Sequence, residues 1–165
     1  MSGTCRVVTG SELAHLAAKA ETAPRRRANL NLHPSLTDPI QRFFNCFQPG
    51  TYVRPHRHEP GRFELFVLLA GKAGVLLFDG EGNVKERVLL APEGAPAVEI
   101  PGGVVHTLVA LAPKTLLFEV KPGPYEPLTD KDFAPWAPPE GSPEAANVLR
   151  AWEALFARNT ETTSG

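Results

Sequence analysis

The stretch GTYVRPHRHEPGRFELFVLLAG, residues 50–71, places three potential metal ligands inside an apolar segment. His56 and His58 are two residues apart, so on a β-strand their side chains point to the same face, about 7 Å apart. Glu64 follows a short turn and opens the run ELFVLL, where an ionised carboxylate is costly to bury unless it is paired or binds a metal. The stretch therefore predicts two antiparallel strands that share a metal site.

The segment around this stretch, residues 40–121, has the pattern of a β protein, because short runs rich in Val, Leu and Phe alternate with Gly and Pro turns. The predicted strands are 40–47, 51–58, 63–70, 73–79, 84–90, 97–100, 104–111 and 115–121. About eight short strands at regular spacing favour an all-β sandwich or barrel over a parallel α/β sheet. The sequence DGEGN, residues 79–83, predicts a hairpin turn because Gly and Asn tolerate positive φ.

Helical patterns flank the β segment on both sides. Apolar spacing over residues 11–20 predicts a short amphipathic helix, with Ser11 as its N-cap and no capping box. Ser142 and Pro143 predict the start of a second helix with one apolar stripe. Between the barrel and this helix lies a proline-rich stretch with embedded aromatics, which we interpret as an ordered arm. We thus expect a single domain with an N-terminal helix and arm (1–39), a barrel (40–121), and a C-terminal arm and helix (122–165).

Composition narrows the classes of function. The formal net charge of −1 and pI near 6.5 give no electrostatic case for nucleic acid or an anionic membrane as a partner. We interpret the basic run Arg25–Arg27 as a solvated or locally paired patch, with binding of an anionic ligand as the alternative. Two cysteines cannot make a disulfide framework, and no leader or long apolar run is visible. We therefore expect a reduced, cytoplasmic protein.

Two sequence motifs resemble those of the cupin superfamily. Gly50, His56, His58, Glu64 and Gly71 resemble the first cupin motif, and Pro101, Gly103 and His106 resemble the second, P-x-G-x-x-H. The gap between His58 and Glu64 is five residues, longer than the usual pattern, so Glu59 is the alternative carboxylate. The asparagine often found four positions after the second-motif histidine is Ala110 in this sequence.

The resemblance becomes closer over residues 11–140. The segments RRRANLNLHPSLTDPIQRFFN, FELFVLLAGKAGVLLFD, VEIPGGVVHTLVAL and FEVKPGPYEPLTDKDFAPWAP are similar to the WbuC-type cupin metalloproteins, some of which occur with bacterial surface-polysaccharide genes. The resemblance implies a cupin jelly-roll β-barrel, a homodimer, and one divalent transition metal held by His56, His58, Glu64 and His106. Three histidines and a carboxylate suit Fe, Mn, Ni, Zn or Co.

Further polar residues are candidates for contacts with a small-molecule ligand. Arg54 and Tyr52 share the strand face of His56 if residues 51–58 are extended, and Arg54 suits a carboxylate or phosphate. The other candidates lie in neighbouring segments or near the predicted barrel mouth: Arg42, Asn45, His33, Lys121 and Tyr125. Each also has an ordinary structural interpretation, as a surface ion pair, a turn-stabilising hydrogen bonder or a packed side chain.

The leading functional hypothesis is a metal-dependent enzyme that acts on a small polar metabolite, either sugar-like or a keto acid. The alternative is a non-catalytic, metal-dependent binding or sensor domain. A third hypothesis is a scaffold with a structural zinc site. Acid or base groups beside the metal would favour the enzyme. No helix-turn-helix pattern is visible, so a role in transcription is not expected.

Overall fold

Two five-stranded antiparallel sheets form the fold in a computed structural model, which describes residues 4–126 and 131–157. The elements in chain order are α1 (Gly10–Thr22), β1 (Arg27–Asn31), β2 (Ile40–Phe47), β3 (His56–Arg57), β4 (Glu64–Ala70), β5 (Ala73–Phe78), β6 (Val84–Leu90), β7 (Ala97–Ile100), β8 (Val105–Ala110), β9 (Thr115–Pro122), β10 (Asp132–Phe133) and α2 (Pro143–Ala157). The first sheet has the order β1-β2-β9-β4-β7 and the second has the order β10-β3-β8-β5-β6. The predicted all-β jelly-roll barrel with short terminal helices is confirmed.

The core between the sheets follows from the two-residue alternation of each strand. Phe66 and Leu117 face inward from the first sheet, and Val75 and Leu108 face inward from the second; all four are buried in one apolar cluster. One end of this interior is polar. There the inward positions of β4, β8 and β9 carry His and Glu instead of Leu and Val, which marks where a site lies.

Three details of the sequence prediction are wrong. Helix α1 begins after Thr9, whose side chain accepts a hydrogen bond from the Glu12 amide (3.3 Å), while the Glu12 carboxylate accepts one from the Thr9 amide (2.9 Å). This is a capping box, so Ser11 is not the N-cap. The predicted strand 51–58 is strand only at His56–Arg57, and β1 pairs with β2 although no strand was predicted there.

The predicted hairpin at residues 79–83 is confirmed. The Asp79 carboxylate accepts hydrogen bonds from the backbone amides of Glu81 (3.0 Å) and Asn83 (2.9 Å), which closes the turn between β5 and β6. The Asn83 side chain also donates a hydrogen bond to this carboxylate. That bond, followed by those from the backbone amides, lowers the pKa of Asp79 below its ordinary value. The division of the chain into 1–39, 40–121 and 122–165 stays a prediction.

Helix α2 covers the outer face of the second sheet. Trp152 stacks on Tyr52, with ring centroids 5.8 Å apart and an interplanar angle of 9°, and both rings belong to a second apolar cluster. The arm before α2 is tied down by Glu140, which forms ion pairs with Arg25 (2.7 Å) and Arg27 (2.8 Å). Two of the three arginines in the basic run are therefore paired locally. Neither described helix is long and apolar enough to span a membrane.

Helix α2 approaches the sheet so closely that Gly74 of β5 has no room for a side chain. A Cβ built on Gly74 would lie 2.3 Å from Cε2 of Phe156. We predict that Gly74→Ala lowers the free energy of unfolding by about 1–3 kcal/mol, as overpacking does. Combined with Phe156→Ala, the cost should be smaller than the sum of the two single changes, because the clash is gone. Denaturant unfolding measures both.

The matched control is Gly10→Ala, because nothing lies within 4 Å of a Cβ at that position. This variant should unfold like the unsubstituted protein or be slightly more stable. Additive costs for Gly74→Ala and Phe156→Ala would contradict the packing of α2 described above.

Candidate metal centre

Four buried side chains converge at the polar end of the barrel. One potential ligand atom from each of His56, His58, Glu64 and His106 lies within 4.8 Å of the others. His56 of β3 and His106 of β8 are direct partners in the sheet register, and Glu64 is the first residue of β4. The structure thus brings together the three candidate ligands that the strand pattern indicated and the one that the cupin resemblance implied.

The long turn between His58 and Glu64 is accommodated by the second motif. Arg62 donates a backbone hydrogen bond to Glu59 (3.0 Å), and Gly103 donates one to the carbonyl of His58 (2.8 Å). A Cβ on Gly102 would lie 2.3 Å from the Glu59 carbonyl oxygen, so the two loops touch backbone to backbone. The Glu59 side chain lies in this turn and is exposed, whereas Glu64 lies in the cluster.

Backbone carbonyls fix the orientation of two of the imidazoles. Nδ1 of His56 lies 2.9 Å from the carbonyl oxygen of Arg54, and Nδ1 of His106 lies 2.9 Å from that of Val104. A carbonyl only accepts, so each Nδ1 carries a hydrogen and each Nε2 faces the cluster. The buried Nε2 of His56 has no hydrogen-bond partner among the described residues. This is the ring orientation that metal-binding histidines adopt.

The contacts of Glu64 test whether a cation fits this cluster. Its carboxylate lies 2.8 Å from Nε2 of His106 and 3.4 Å from Nε2 of His58. A lone pair and a carboxylate oxygen face each other stably only if a proton or a metal ion lies between them. Three imidazole nitrogens and one carboxylate oxygen form a donor set that suits a divalent transition metal. These residues fit such an ion.

The protonation of the cluster also favours a cation. Burial raises the pKa of Glu64, but hydrogen bonds from His106 and His58 outweigh it and leave this pKa well below its ordinary value. Burial, assisted by the positive charge of Lys131, lowers the pKa of His56 well below its ordinary value. The cluster therefore holds an ionised carboxylate and a neutral imidazole, which are the forms that bind metals.

Glu119 of β9 is a second buried carboxyl group that the sequence reasoning did not select. Burial first, and the adjacent charge of Glu64 second, raise the pKa of Glu119 well above its ordinary value. The raised pKa favours the protonated form of Glu119, which hydrogen-bonds to Glu64, while Asn45 Nδ2 donates to its Oε2 (2.5 Å). The argument that selected Glu64, an acid inside an apolar strand, also applies to Glu119 in LLFEV.

A cavity of about 330 Å³ adjoins the cluster and is lined by the inward side chains of both sheets. Four of the predicted ligand-contacting residues line it, namely His33, Asn45, Lys121 and Tyr125. Lys121 Nζ lies 3.9 Å from Glu119 Oε1 and 5.6 Å from the centre of the Tyr125 ring. The cavity therefore places polar groups beside the cluster, among the rings of Phe43, Phe47 and Phe66.

The other three predicted contact residues lie away from this cavity. Arg42 points to the opposite face of β2, where it pairs with Asp38 (2.9 Å). Arg54 donates to the carbonyl of Ala137 (3.2 Å), and its guanidinium lies over the Phe133 ring. Tyr52 stacks beneath α2 and donates to the Pro138 carbonyl (2.9 Å). Residues 51–55 are not a regular strand, so the two-residue alternation that placed Tyr52 and Arg54 beside His56 does not hold.

Fold and cluster together define a cupin-type barrel with a candidate metal site. Among solved structures the chain is similar to CapF bound to an inhibitor, with 18% identity and a TM-score of 0.56 over 68% of this chain and 32% of that one. It is also similar to KdgF from Halomonas sp., with 23% identity and a TM-score of 0.49 over 64% of this chain and 85% of that one. A cupin superfamily protein from Desulfitobacterium hafniense shows 19% identity, a TM-score of 0.49 and coverage of 65% and 86%.

The chain belongs to the family described as "Domain of unknown function (DUF6016)", whose model matches residues 8–90. The comparison with curated proteins found no match. The likeness to CapF concerns the fold alone, and the chain spans about a third of that protein's length.

We predict that His56→Ala and His106→Ala each remove stoichiometric metal from the purified protein. Each deletes one of four donors, so affinity should fall at least about a hundredfold. Metal analysis after dialysis measures the content. His15→Ala, in the exposed surface of α1, is the control and should keep its metal. Full metal content in both cluster variants would refute the site.

We also predict that Glu119 positions Glu64 for the metal. Glu119→Ala removes the hydrogen bond to Glu64 and should weaken metal binding about 10–100-fold. Glu119→Gln keeps an N–H donor at the same place and should bind metal almost as well as the unsubstituted protein. A competition titration with a chelator measures the affinities, and the visible spectrum of the cobalt form reports the ligand geometry. Equal loss in both variants would contradict a role that depends on the hydrogen bond.

Proposed function

We propose that this chain is a metal-dependent enzyme of the WbuC-type cupin group that acts on a small polar metabolite, sugar-like or a keto acid. One observation carries the proposal. Glu119 and Lys121, a protonated carboxyl group and an amine, both line the cavity that opens onto the four-residue cluster. A binding or structural site has no need of proton-transfer groups at that place, whereas an enzyme does.

The roles of the residues follow from their positions. His56, His58, Glu64 and His106 would hold the metal, which when bound polarises a substrate oxygen and stabilises negative charge on it. Glu119 holds a proton on its carboxyl group next to Glu64 and is positioned to release it toward the cavity. Lys121 presents its ammonium group 3.9 Å from Glu119 and stabilises anionic groups of a substrate. The rings of Phe43 and Phe66 exclude water from one wall.

Further parts of the proposal rest on the resemblance. They are a cytoplasmic location, a bacterial source and a place in polysaccharide biosynthesis. A homodimer is supported by the outer face of the first sheet, where Leu65, Val67, Leu69 and Val120 leave an apolar surface outside the clusters that the described residues bury.

The proposal is tested by turnover of defined compounds. The protein is reconstituted in turn with Fe, Mn, Co, Ni and Zn and incubated with a panel of sugar acids and 2-keto acids, with products followed by NMR. We expect one metal form to convert a panel member, and Lys121→Met to lower the rate about 10²–10⁴-fold while the metal content is unchanged. His15→Ala serves as the matched control.

Other results would favour the alternatives. Reversible binding of a panel member without any conversion would overturn the enzyme proposal in favour of a binding or sensor domain. A metal with no exchangeable coordination position, whose removal by a chelator unfolds the chain, would overturn it in favour of structural zinc.

A further inference from the structure

His33 presents a buried hydrogen-bond donor to the cavity. The residue is 7% exposed and follows β1 in a short loop. Its Nδ1 lies 3.1 Å from both the backbone nitrogen and the carbonyl oxygen of Arg42. That carbonyl already accepts a hydrogen bond from the Leu32 amide (2.9 Å), whereas the Arg42 N–H can only donate, so Nδ1 is the acceptor of the Arg42 amide. The hydrogen of the imidazole therefore lies on Nε2. That buried atom has no hydrogen-bond partner in the part of the chain that the structure describes.

An unsatisfied buried donor is costly, which makes a ligand the natural partner of His33 Nε2. A buried donor without an acceptor costs about 1–3 kcal/mol, and native proteins retain few of them. The ring of Phe43 lies against the imidazole in an edge contact, with ring centroids 5.9 Å apart. A hydrogen-bond acceptor that enters the cavity would satisfy the N–H, whereas an apolar ligand would leave it unpaired.

The charges that line the cavity specify the acceptor further. Lys121, 5% exposed, and Lys131 both line it, and the two acids of the lining are Glu64, which belongs to the cluster, and Glu119, which is hydrogen-bonded to Glu64. Arg27 also lines the cavity but is engaged by Glu140. With Glu64 bound to a cation, two ammonium groups face one carboxyl group in the remaining lining, so an anionic acceptor is favoured over a neutral one.

The sheet order sets the length of the ligand. Glu64 lies on β4 and Lys121 on β9, and the ring of His33 is hydrogen-bonded to the backbone of β2. Two strand spacings therefore separate the backbone that carries Glu64 from the backbone against which the His33 ring lies. At about 4.8 Å per spacing this is roughly 10 Å. A ligand that touches both ends has a chain of about five or six carbons.

We propose that His33 and Lys121 form a carboxylate subsite, so that the substrate is a hydroxylated acid of five or six carbons with its carboxylate at His33 and a hydroxyl or carbonyl oxygen at the cluster. This inference rests on the proposed function, because it assumes that the other end of the ligand binds the metal. The carboxylate accepts from His33 Nε2–H and is neutralised by the Lys121 ammonium group. The subsite restricts the substrate to hydroxylated acids, a restriction that the four-residue cluster alone does not impose.

Gluconate and sorbitol test the subsite, because they have the same carbon chain and differ only in the carboxylate. Calorimetry on the zinc-loaded protein should show gluconate binding at least about tenfold tighter than sorbitol. His33→Asn keeps an acceptor for the Arg42 amide and removes the Nε2–H, so it should lower gluconate affinity about 10–100-fold and leave sorbitol unchanged. Lys121→Met should do the same, Lys121→Arg should restore most of the affinity, and His15→Asn should change nothing.

The outcomes separate this inference from the proposed function. Equal affinity for the two compounds, no detectable gluconate binding at millimolar concentration, or unchanged affinity in His33→Asn would overturn the subsite, whatever the metal content. Selective gluconate binding that depends on His33 in a protein that retains no metal would support the subsite and overturn the metal-dependent enzyme instead.

Discussion

The interaction on which the site depends is the contact between the buried carboxylate of Glu64 and the imidazoles around it. A charge at this depth is tolerated only if hydrogen bonds and opposite charge surround it. His106 at 2.8 Å and His58 at 3.4 Å provide the hydrogen bonds, and the strand pairing of His56 with His106 determines where these rings lie. The jelly roll satisfies this need because it brings β3, β4 and β8 to one end of the same interior.

The barrel divides its interior into two regions of opposite character. Leu and Val fill the inward positions at one end and stabilise the two sheets against each other, while polar side chains fill the inward positions at the other end. Glu119 lies between the cluster and the rest of the cavity. It touches Glu64 on one side and approaches Lys121 on the other. A change of charge at the cluster therefore changes the electrostatic environment of both β9 side chains, Glu119 and Lys121.

The sequence indicated most of the fold and of the cluster, because both depend on the regular alternation of strands. His56, His58 and Glu64 stood out as polar residues on apolar strands, and His106 was identified by the second motif. Where the backbone departs from a regular strand, the same reasoning fails. Residues 51–55 leave the ladder, so Tyr52 turns to Trp152, and Arg54 turns to Phe133. The Thr9–Glu12 capping box was missed because Ser11 also suits an N-cap. Glu119 was missed although its strand carries the same signal as that of Glu64.

The contact between Gly102 and the Glu59 carbonyl has a consequence for how an ion would enter. The turn that carries His58 and the turn that precedes His106 are braced against each other through their backbones, with the Gly103 amide bonded to the His58 carbonyl. The donor atoms are thereby preorganised, and little conformational entropy remains to be lost when they close on a cation. An ion whose radius or preferred geometry required the two turns to separate would break these contacts and would therefore bind more weakly.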